Sequence, residues 1–287
     1  MIGDVMKLMR PQQWYKNLLI FLPIVFAGML FQTVPLVLTL LGFVSLCLVS
    51  SANYIFNDII DVEHDRRNAE KKHRPIASGK ISIVEGAVFA KILLVLALLL
   101  ALYLGLAFFG TILFLFSFTL LYSAVLKKEI FLDLIAIGIN FVARAASGAF
   151  IIDVRISPWL IICVFFLSFF LSTAKRHAEV MRLGKKAKLH RKVLGEYTQQ
   201  LTTTLMIMAT TILIIAYSLY SFLSVHPKLF ITLPIAWYVI LRYFQLTQQG
   251  SVIARHPEKV ISDIRLTAAI TLWGLVTLVV VYWPALF

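Results

Sequence analysis

The chain has 287 residues, of which 60% are hydrophobic and only 14% charged, yet 27 Lys and Arg against 14 Asp and Glu give it a formal net charge of +13. Disordered chains hold far fewer apolar residues, soluble domains usually carry about 25% charged ones, and a nucleic-acid binder would share the basicity without needing this apolar content. The class that survives is a multi-pass membrane protein with its positive charge gathered on one side. Cys47 and Cys163 lie inside apolar runs and read as membrane-core residues rather than as a disulfide framework or metal site.

At about 20 apolar residues per crossing of a roughly 30 Å bilayer core, nine stretches qualify. They lie near 17–31, 36–56, 83–102, 105–126, 131–152, 158–174, 200–222, 229–247 and 266–286. Pro23 and Gly28 interrupt the first. The runs are continuous rather than alternating, which predicts an all-α bundle of nine transmembrane helices and excludes a strand barrel. The whole chain, 1–287, reads as a single integral membrane domain. The opening segment has no apolar core before Leu18, so no cleavable signal peptide is expected.

With the N-terminus inside, one face collects the segments 1–17, 57–82, 127–130, 175–199 and 248–265. These hold most of the basic residues, including the run Lys185, Lys186, Lys188, Arg191 and Lys192, whereas the other face holds only Arg155 and Lys228. That asymmetry predicts a cytoplasmic basic face, an external C-terminus and residence in the cytoplasmic membrane. Much of the charge serves topology and attraction to anionic membrane lipid. Arg10, Trp14 and Lys16 read as an interfacial segment ahead of the first span.

The basic face has acidic exceptions. The second span ends in Asn57-Asp58-Ile59-Ile60-Asp61-Val62-Glu63-His64-Asp65. Spacings of three and four place Asp58, Asp61 and Asp65 on one helical face, where they repel one another without a cation among them. Hard oxygen ligands with no Cys and no matched His favour Mg²⁺ as the cofactor, a metal commonly shared between a few carboxylates and substrate phosphates. Asn57 is a natural neutral partner. The competing reading is a solvated helix end in which Arg66 and Arg67 pair with Asp61 or Asp65. Against it stands the position at the membrane rim, where charge is costly. Lys71, Lys72 and Arg74 follow within one loop, as a metal–diphosphate complex requires.

This acidic motif resembles the first aspartate motif of the UbiA-type intramembrane prenyltransferase superfamily. Arg10-Pro11-x-Gln13-Trp14-x-Lys16-Asn17, Arg74-Pro75-Ile76-Ala77-Ser78-Gly79, Tyr122-Ser123-x-x-Leu126-Lys127, Leu132-Asp133, Arg144-Ala145-x-x-Gly148, Ser157-Pro158-Trp159 and Lys175-Arg176-x-Ala178-Glu179 follow in order. Together they are similar to one subfamily, the decaprenyl-phosphate phosphoribosyltransferases, with weaker similarity at Tyr197, Pro257-Glu258 and Asp263-x-Arg265. Most of the superfamily carries a second Asp-x-x-x-Asp motif where this chain has Lys175-Arg176-His177-Ala178-Glu179. One acid triad facing a mainly basic counterpart suits two phosphate-bearing substrates.

The resemblance implies transfer of the 5-phosphoribosyl group from 5-phosphoribosyl 1-diphosphate to a long polyprenyl phosphate, with an active site facing the cytoplasm. Asp58, Asp61 and Asp65 would hold Mg²⁺ on the departing diphosphate. Lys16, Asn57, Arg74, Tyr122, Lys127, Lys175, Arg176 and Arg182 are the expected substrate contacts. Asp133, Asn140 and Arg144 share a helical stripe running about 16 Å into the membrane. Two readings stay open for Arg144, an internal partner or the acceptor phosphate, and two for Glu179, a second metal or Lys175. His64, His73 and His177 read as rim residues. Two other activities compete: transfer of a prenyl chain to an aromatic acceptor, and non-enzymatic transport of anionic lipid. The sequence leaves the polyprenyl length and the oligomeric state open, a homo-oligomer included.

Overall fold

The structure, a computed structural model, describes residues 2–68, 71–184 and 192–286, so Lys185, Lys186, Lys188 and Arg191 fall outside it. Among the described residues there is no strand. Among the same residues, eight helices are long and apolar enough to cross a membrane, where nine were expected. The chain divides into two compact units, one of Met1–Ala124 with Ala143–Val154, the other of Val125–Val142 with Arg155–Phe287.

The first unit opens with α1 (Ile2–Met9), a 3₁₀ segment Pro11–Ile20 and α2 (Phe21–Phe26). The first apolar stretch is therefore no long α-helix. Pro23 has no N–H to give the carbonyl of Leu19, so regular α-helix begins only at Phe21. Gly28, at φ 71, then ends it: Met29 N–H donates to Ile24 O and Gly28 N–H to Val25 O, a Schellman pair.

α3 (Thr33–Ile60) is the spine of this unit. The preceding chain runs antiparallel along it. Arg10 bonds Asp58, Trp14 Nε1 donates to Ser51 Oγ, Asn17 Nδ2 donates to Cys47 Sγ, and Ile20 packs over Gly42. As numbers rise on one segment they fall on the other.

α3 continues, after a break at Asp61, into the short α4 (Val62–Arg67), and the chain returns through α5 (Ile83–Leu104) and α6 (Leu106–Ala124). Ala90, Ala97 and Ala101 of α5 are fully buried, and their small side chains let α5 approach α3 closely. Ser45 Oγ donates to Ala97 O across that contact at 2.9 Å. Ile20, Leu46, Val49, Phe108, Ile112 and Leu115 form the core beside it.

α7 (Leu132–Ile151) contributes residues up to Val142 to the second unit and from Ala143 to the first. The second unit also contains α8 (Pro158–Leu183), α9 (Gln199–Leu223), α10 (Leu233–Gln248), α11 (Val252–Arg255) and α12 (Ile264–Leu286). Helix α8 runs nine residues beyond the apolar stretch expected to end at 174, so Lys175 to Leu183 are helical. Phe170, Ala174, Met206, Ala209, Tyr243 and Leu266 form the core of this unit. Arg242 Nη2 donates to Asp263 Oδ2 at 2.7 Å, while Asp263 Oδ1 accepts from Leu266 N–H and caps α12. The Arg242 guanidinium and that cap hold the Asp263 carboxyl below its usual range.

Gly148 sits where the 3₁₀ segment presses on α7. A Cβ there would lie 2.0 Å from the Ile20 carbonyl oxygen, a backbone atom with no room to turn aside. Alanine normally stabilises a helix over glycine by about 1 kcal/mol. Gly148→Ala is expected to do the reverse, destabilising the protein by about 1–3 kcal/mol. Thermal unfolding in detergent reads the sign, and a gain in stability would show the contact to be loose.

Candidate functional site

The polar site of the first unit starts from the seven-residue interval between Asp58 and Asp65. Two helical turns return a side chain to nearly the same face. The break at Asp61 (φ −91, ψ 8) does not undo this, because Asp65 N–H still donates to Asp61 O and Asp61 N–H to Asn57 O. Both carboxylates are buried, with side chains 3% and 1% exposed. Buried carboxylates are stable only when paired and hydrogen-bonded.

The pairing comes from two directions. Arg74 Nη1 donates to Asp58 Oδ1 at 2.8 Å and to Asp65 Oδ2 at 2.6 Å, so one nitrogen bridges both acids. Arg10 Nη2 donates to the same Asp58 Oδ1, and its guanidinium lies 5.2 Å from the centre of the Tyr54 ring, a cation–π contact. Lys71 Nζ stands 3.7 Å from Asp65 Oδ1, an oxygen that is buried and accepts no hydrogen bond.

Arg74 is held in place by its own loop. Ile76, 2% exposed, packs with Leu8, Ala52, Ile55 and Ala90, and its Cδ1 fills the space beside Gly86. Ser78 N–H donates to Arg74 O and Ile81 N–H to Pro75 O, closing the turn. The guanidinium is thus aimed by a pinned loop, while its side chain stays 24% exposed.

Between Asp58 and Asp65 in sequence, Asp61 Oδ2 accepts from Asn57 Nδ2 at 3.1 Å. Among the described residues no group of three His, Cys, Asp or Glu is gathered to hold a metal. Asp61 lies at the break between α3 and α4, three residues from Asp58 and four from Asp65, and stays a candidate third ligand. Arg66 pairs with exposed Glu63, not with Asp61 or Asp65. Two carboxylates, all-oxygen donors and a buried oxygen free of hydrogen bonds still fit Mg²⁺, which usually takes one or two carboxylates plus substrate phosphates.

Deeper in the same unit, Arg144 Nε donates to Asn17 Oδ1 at 2.9 Å, and Ser50 Oγ approaches the same oxygen at 3.4 Å. This internal partner is the first of the two readings held open for Arg144. Lys16 lies half-buried with Nζ 5.8 Å from the Tyr15 ring centre, and Tyr122 is half-buried near the end of α6.

A second polar cluster belongs to the other unit. Asp133, in the first turn of α7, has no exposure. Its Oδ2 accepts from Arg176 Nε at 2.9 Å and its Oδ1 from the Tyr197 hydroxyl at 2.6 Å. Arg176 Nη1 also donates to Glu179 at 3.0 Å. Phe131, at φ 66, donates its N–H to the Tyr197 oxygen. Burial first, then the Asp133 carboxylate, push the Tyr197 phenol well above its ordinary value.

Glu179 therefore meets Arg176 across one helical turn, a partner the sequence reading had not assigned to it. Lys175 and Arg182 are exposed, Lys127 is half-buried, and Asn140 is buried with Nδ2 3.4 Å from Ala136 O. His64 and His73 are exposed as expected, but His177 is not a rim residue: it is 2% exposed and bonds Thr202 Oγ1 through Nδ1 at 2.8 Å. Arg10 and Tyr197 were missed as cluster members by residue spacing. A base directly before Pro11, and an isolated Tyr ahead of the Thr198 helix cap, were the available signals.

An all-α, multi-pass membrane protein with an oxygen-rich, cation-bridged site at its helix ends is the class defined by these features. The chain belongs to the UbiA prenyltransferase family, a family of transferases whose sequence model matches residues 20–261. It is 28% identical over 276 residues to the decaprenyl-phosphate phosphoribosyltransferase of Mycolicibacterium smegmatis, covering 91% of this chain and 86% of that protein. It is 38% identical over 190 residues to the uncharacterized protein y4nM of Sinorhizobium fredii, covering 65% of this chain but only 36% of that longer relative. Among solved structures, a UbiA homolog from Archaeoglobus fulgidus bound to DMAPP and Mg²⁺ superposes with a TM-score of 0.74 at 19% identity, over 97% of this chain and 98% of that one. This last likeness concerns the fold.

The Asp133 cluster predicts two distinct losses. Arg176→Ala strands a buried carboxylate and is expected to destabilise the protein by about 3–5 kcal/mol. Tyr197→Phe removes one donor and is expected to cost about 1–3 kcal/mol. Because the Tyr197 proton is held more tightly in the folded protein, its contribution is complete below about pH 10 and is lost as pH rises through the folded value. Unfolding followed from neutral to alkaline pH checks both: Tyr197→Phe should show a shallower alkaline loss than the parent.

Proposed function

We propose that this chain transfers the 5-phosphoribosyl group from 5-phosphoribosyl 1-diphosphate to a long polyprenyl phosphate, releasing diphosphate. The observation that carries this reading is the buried Asp58–Asp65 pair among Arg10, Arg74 and Lys71. Such a set offers oxygens to a cation and cations to phosphate. The mainly basic 175–182 segment, where the superfamily's second acid motif would stand, and the phosphoribosyltransferase relative at 86% coverage favour a phosphosugar donor over a prenyl diphosphate.

In this reading Asp58, Asp65 and Asp61 would hold Mg²⁺, which would neutralise the leaving diphosphate when bound. Arg10, Arg74 and Lys71 meet the remaining phosphate charge and orient the donor. Attack comes from an oxygen of the acceptor phosphate, already ionised near pH 7, so no strong general base is needed. A new bond forms from that oxygen to the anomeric carbon as the bond to diphosphate breaks, with inversion. Lys127, Tyr122, Lys175 and Arg182 remain candidate phosphate contacts. Arg144 serves the acceptor phosphate through a second donor or stays with Asn17.

The site faces the cytoplasm of the inner membrane, and a ninth crossing is made by the broken first stretch. Its antiparallel run along α3 supports this. Ten 3₁₀ residues rising about 2.0 Å each and six α-helical ones rising about 1.5 Å each span about 29 Å, nearly the bilayer core.

Purified protein given labelled 5-phosphoribosyl 1-diphosphate and polyprenyl phosphate should move label into lipid only with Mg²⁺. Asp58→Asn and Asp65→Asn should each lower the rate by about 10²-fold or more. Label that never enters lipid, with an aromatic ring prenylated from a prenyl diphosphate instead, favours the other family activity. Full function in both variants favours lipid transport.

A further inference from the structure

We propose that Arg74 is an exchangeable counter-ion: a divalent cation reaches Asp58 and Asp65 by displacing the Arg74 guanidinium, which then turns to the phosphate accompanying that cation. The proposal rests on the metal–diphosphate reading of this cluster. It adds that the acids are latched by an internal cation which competes with the metal.

The geometry supports competition rather than coexistence. A single nitrogen, Arg74 Nη1, lies within 2.8 Å of Asp58 Oδ1 and 2.6 Å of Asp65 Oδ2, the position from which an ion bridges two carboxylates. Asp58 Oδ1 also accepts from Arg10, so that oxygen already has two cationic donors. A metal drawing on the same lone pairs must replace at least one of them. The two acids cannot simply wait unpaired, since both are buried and they repel each other.

Arg74 is the donor able to leave. Its loop is pinned by Ile76, but the side chain is 24% exposed, so the long stem can swing while its Cα stays in place. The acids are 3% and 1% exposed and remain where they are. Arg176 provides the contrast. It also bonds two acids, through two separate nitrogens, but is only 4% exposed, so its stem has no open side to swing toward. Exchange at Arg74 also orders the events: a bare cation must pay for the displaced arginine alone, whereas a cation carrying diphosphate gives the guanidinium a new partner. Metal and diphosphate should therefore bind together better than either binds by itself.

The test uses Mn²⁺ as an oxygen-seeking spectroscopic substitute for Mg²⁺, with binding to the full-length protein in detergent read by electron paramagnetic resonance. Arg74→Gln should bind Mn²⁺ alone about tenfold more tightly than the parent, the scale of one lost charge-assisted bond. Inorganic diphosphate should tighten Mn²⁺ in the parent by a larger factor than in Arg74→Gln. Lys80→Gln, which removes an equal charge from an exposed side chain, should leave Mn²⁺ affinity nearly unchanged. If Arg74→Gln does not fold, Arg10→Gln should give a smaller rise of about threefold, since it frees the same Asp58 oxygen of one donor. Mn²⁺ affinity that is unchanged or weaker in the folded variant, or a rise matched by Lys80→Gln, overturns the latch. If instead the parent and Asp58→Asn bind Mn²⁺ alike and diphosphate alters neither, the metal–diphosphate reading itself fails.

Discussion

Two carboxylates buried at a membrane rim cannot persist without positive charge, and the first unit is organised around that constraint. Asp58 and Asp65 are both inaccessible and stand one helical repeat of seven apart. Meeting their charge recruits three separate stretches of chain: the N-terminal segment through Arg10, the turn after α4 through Lys71, and the pinned loop through Arg74. Two of them have their own anchors. Arg10 ends the segment that runs back along α3, and Ile76 seats the loop against Ile55 and Gly86. The polar centre and the apolar packing are therefore one problem, because Arg74 is aimed by an isoleucine.

The second polar cluster shows how burial changes what the same residue types do. Arg176 lies between Asp133 and Glu179 much as Arg74 lies between Asp58 and Asp65. Asp133 is completed by Tyr197, and the arginine is almost fully enclosed. A closed, satisfied network of this kind fixes where helices α7 and α8 and the Tyr197 segment meet. Arg74 keeps a quarter of its side chain open, and that difference separates a strut from a group able to change partners.

Much of the architecture was legible because a bilayer imposes its length on apolar runs. Each of the eight long helices overlaps one stretch that hydropathy alone marks, with edges shifted by a few residues except at α8, which runs nine residues further. The exception is instructive. Pro23 and Gly28 could be seen in the first stretch, but a run of apolar residues does not distinguish α-helix from 3₁₀ helix, and only the backbone shows which formed. At the site, a spacing of three and four suggested three aligned acids. That spacing could not show the break in the helix at Asp61, which is set by the backbone of that residue. Arg10 and Tyr197 stayed hidden for another reason: they lie 48 and 64 positions from the acids they bond, and no local pattern carries such pairings. Arg176 and Glu179 were each visible as candidate site residues, but whether a charge is enclosed or open is a property of the packing around it.

The central claim is that the Asp58–Asp65 pair is the seat of a metal-bound diphosphate. The most direct test is thermal unfolding of the purified protein with inorganic diphosphate, with Mg²⁺, and with both. The account predicts a clear rise in melting temperature when both are present, lost in the Asp58→Asn, Asp65→Asn double variant. An equal rise in that variant would place the diphosphate elsewhere and contradict it.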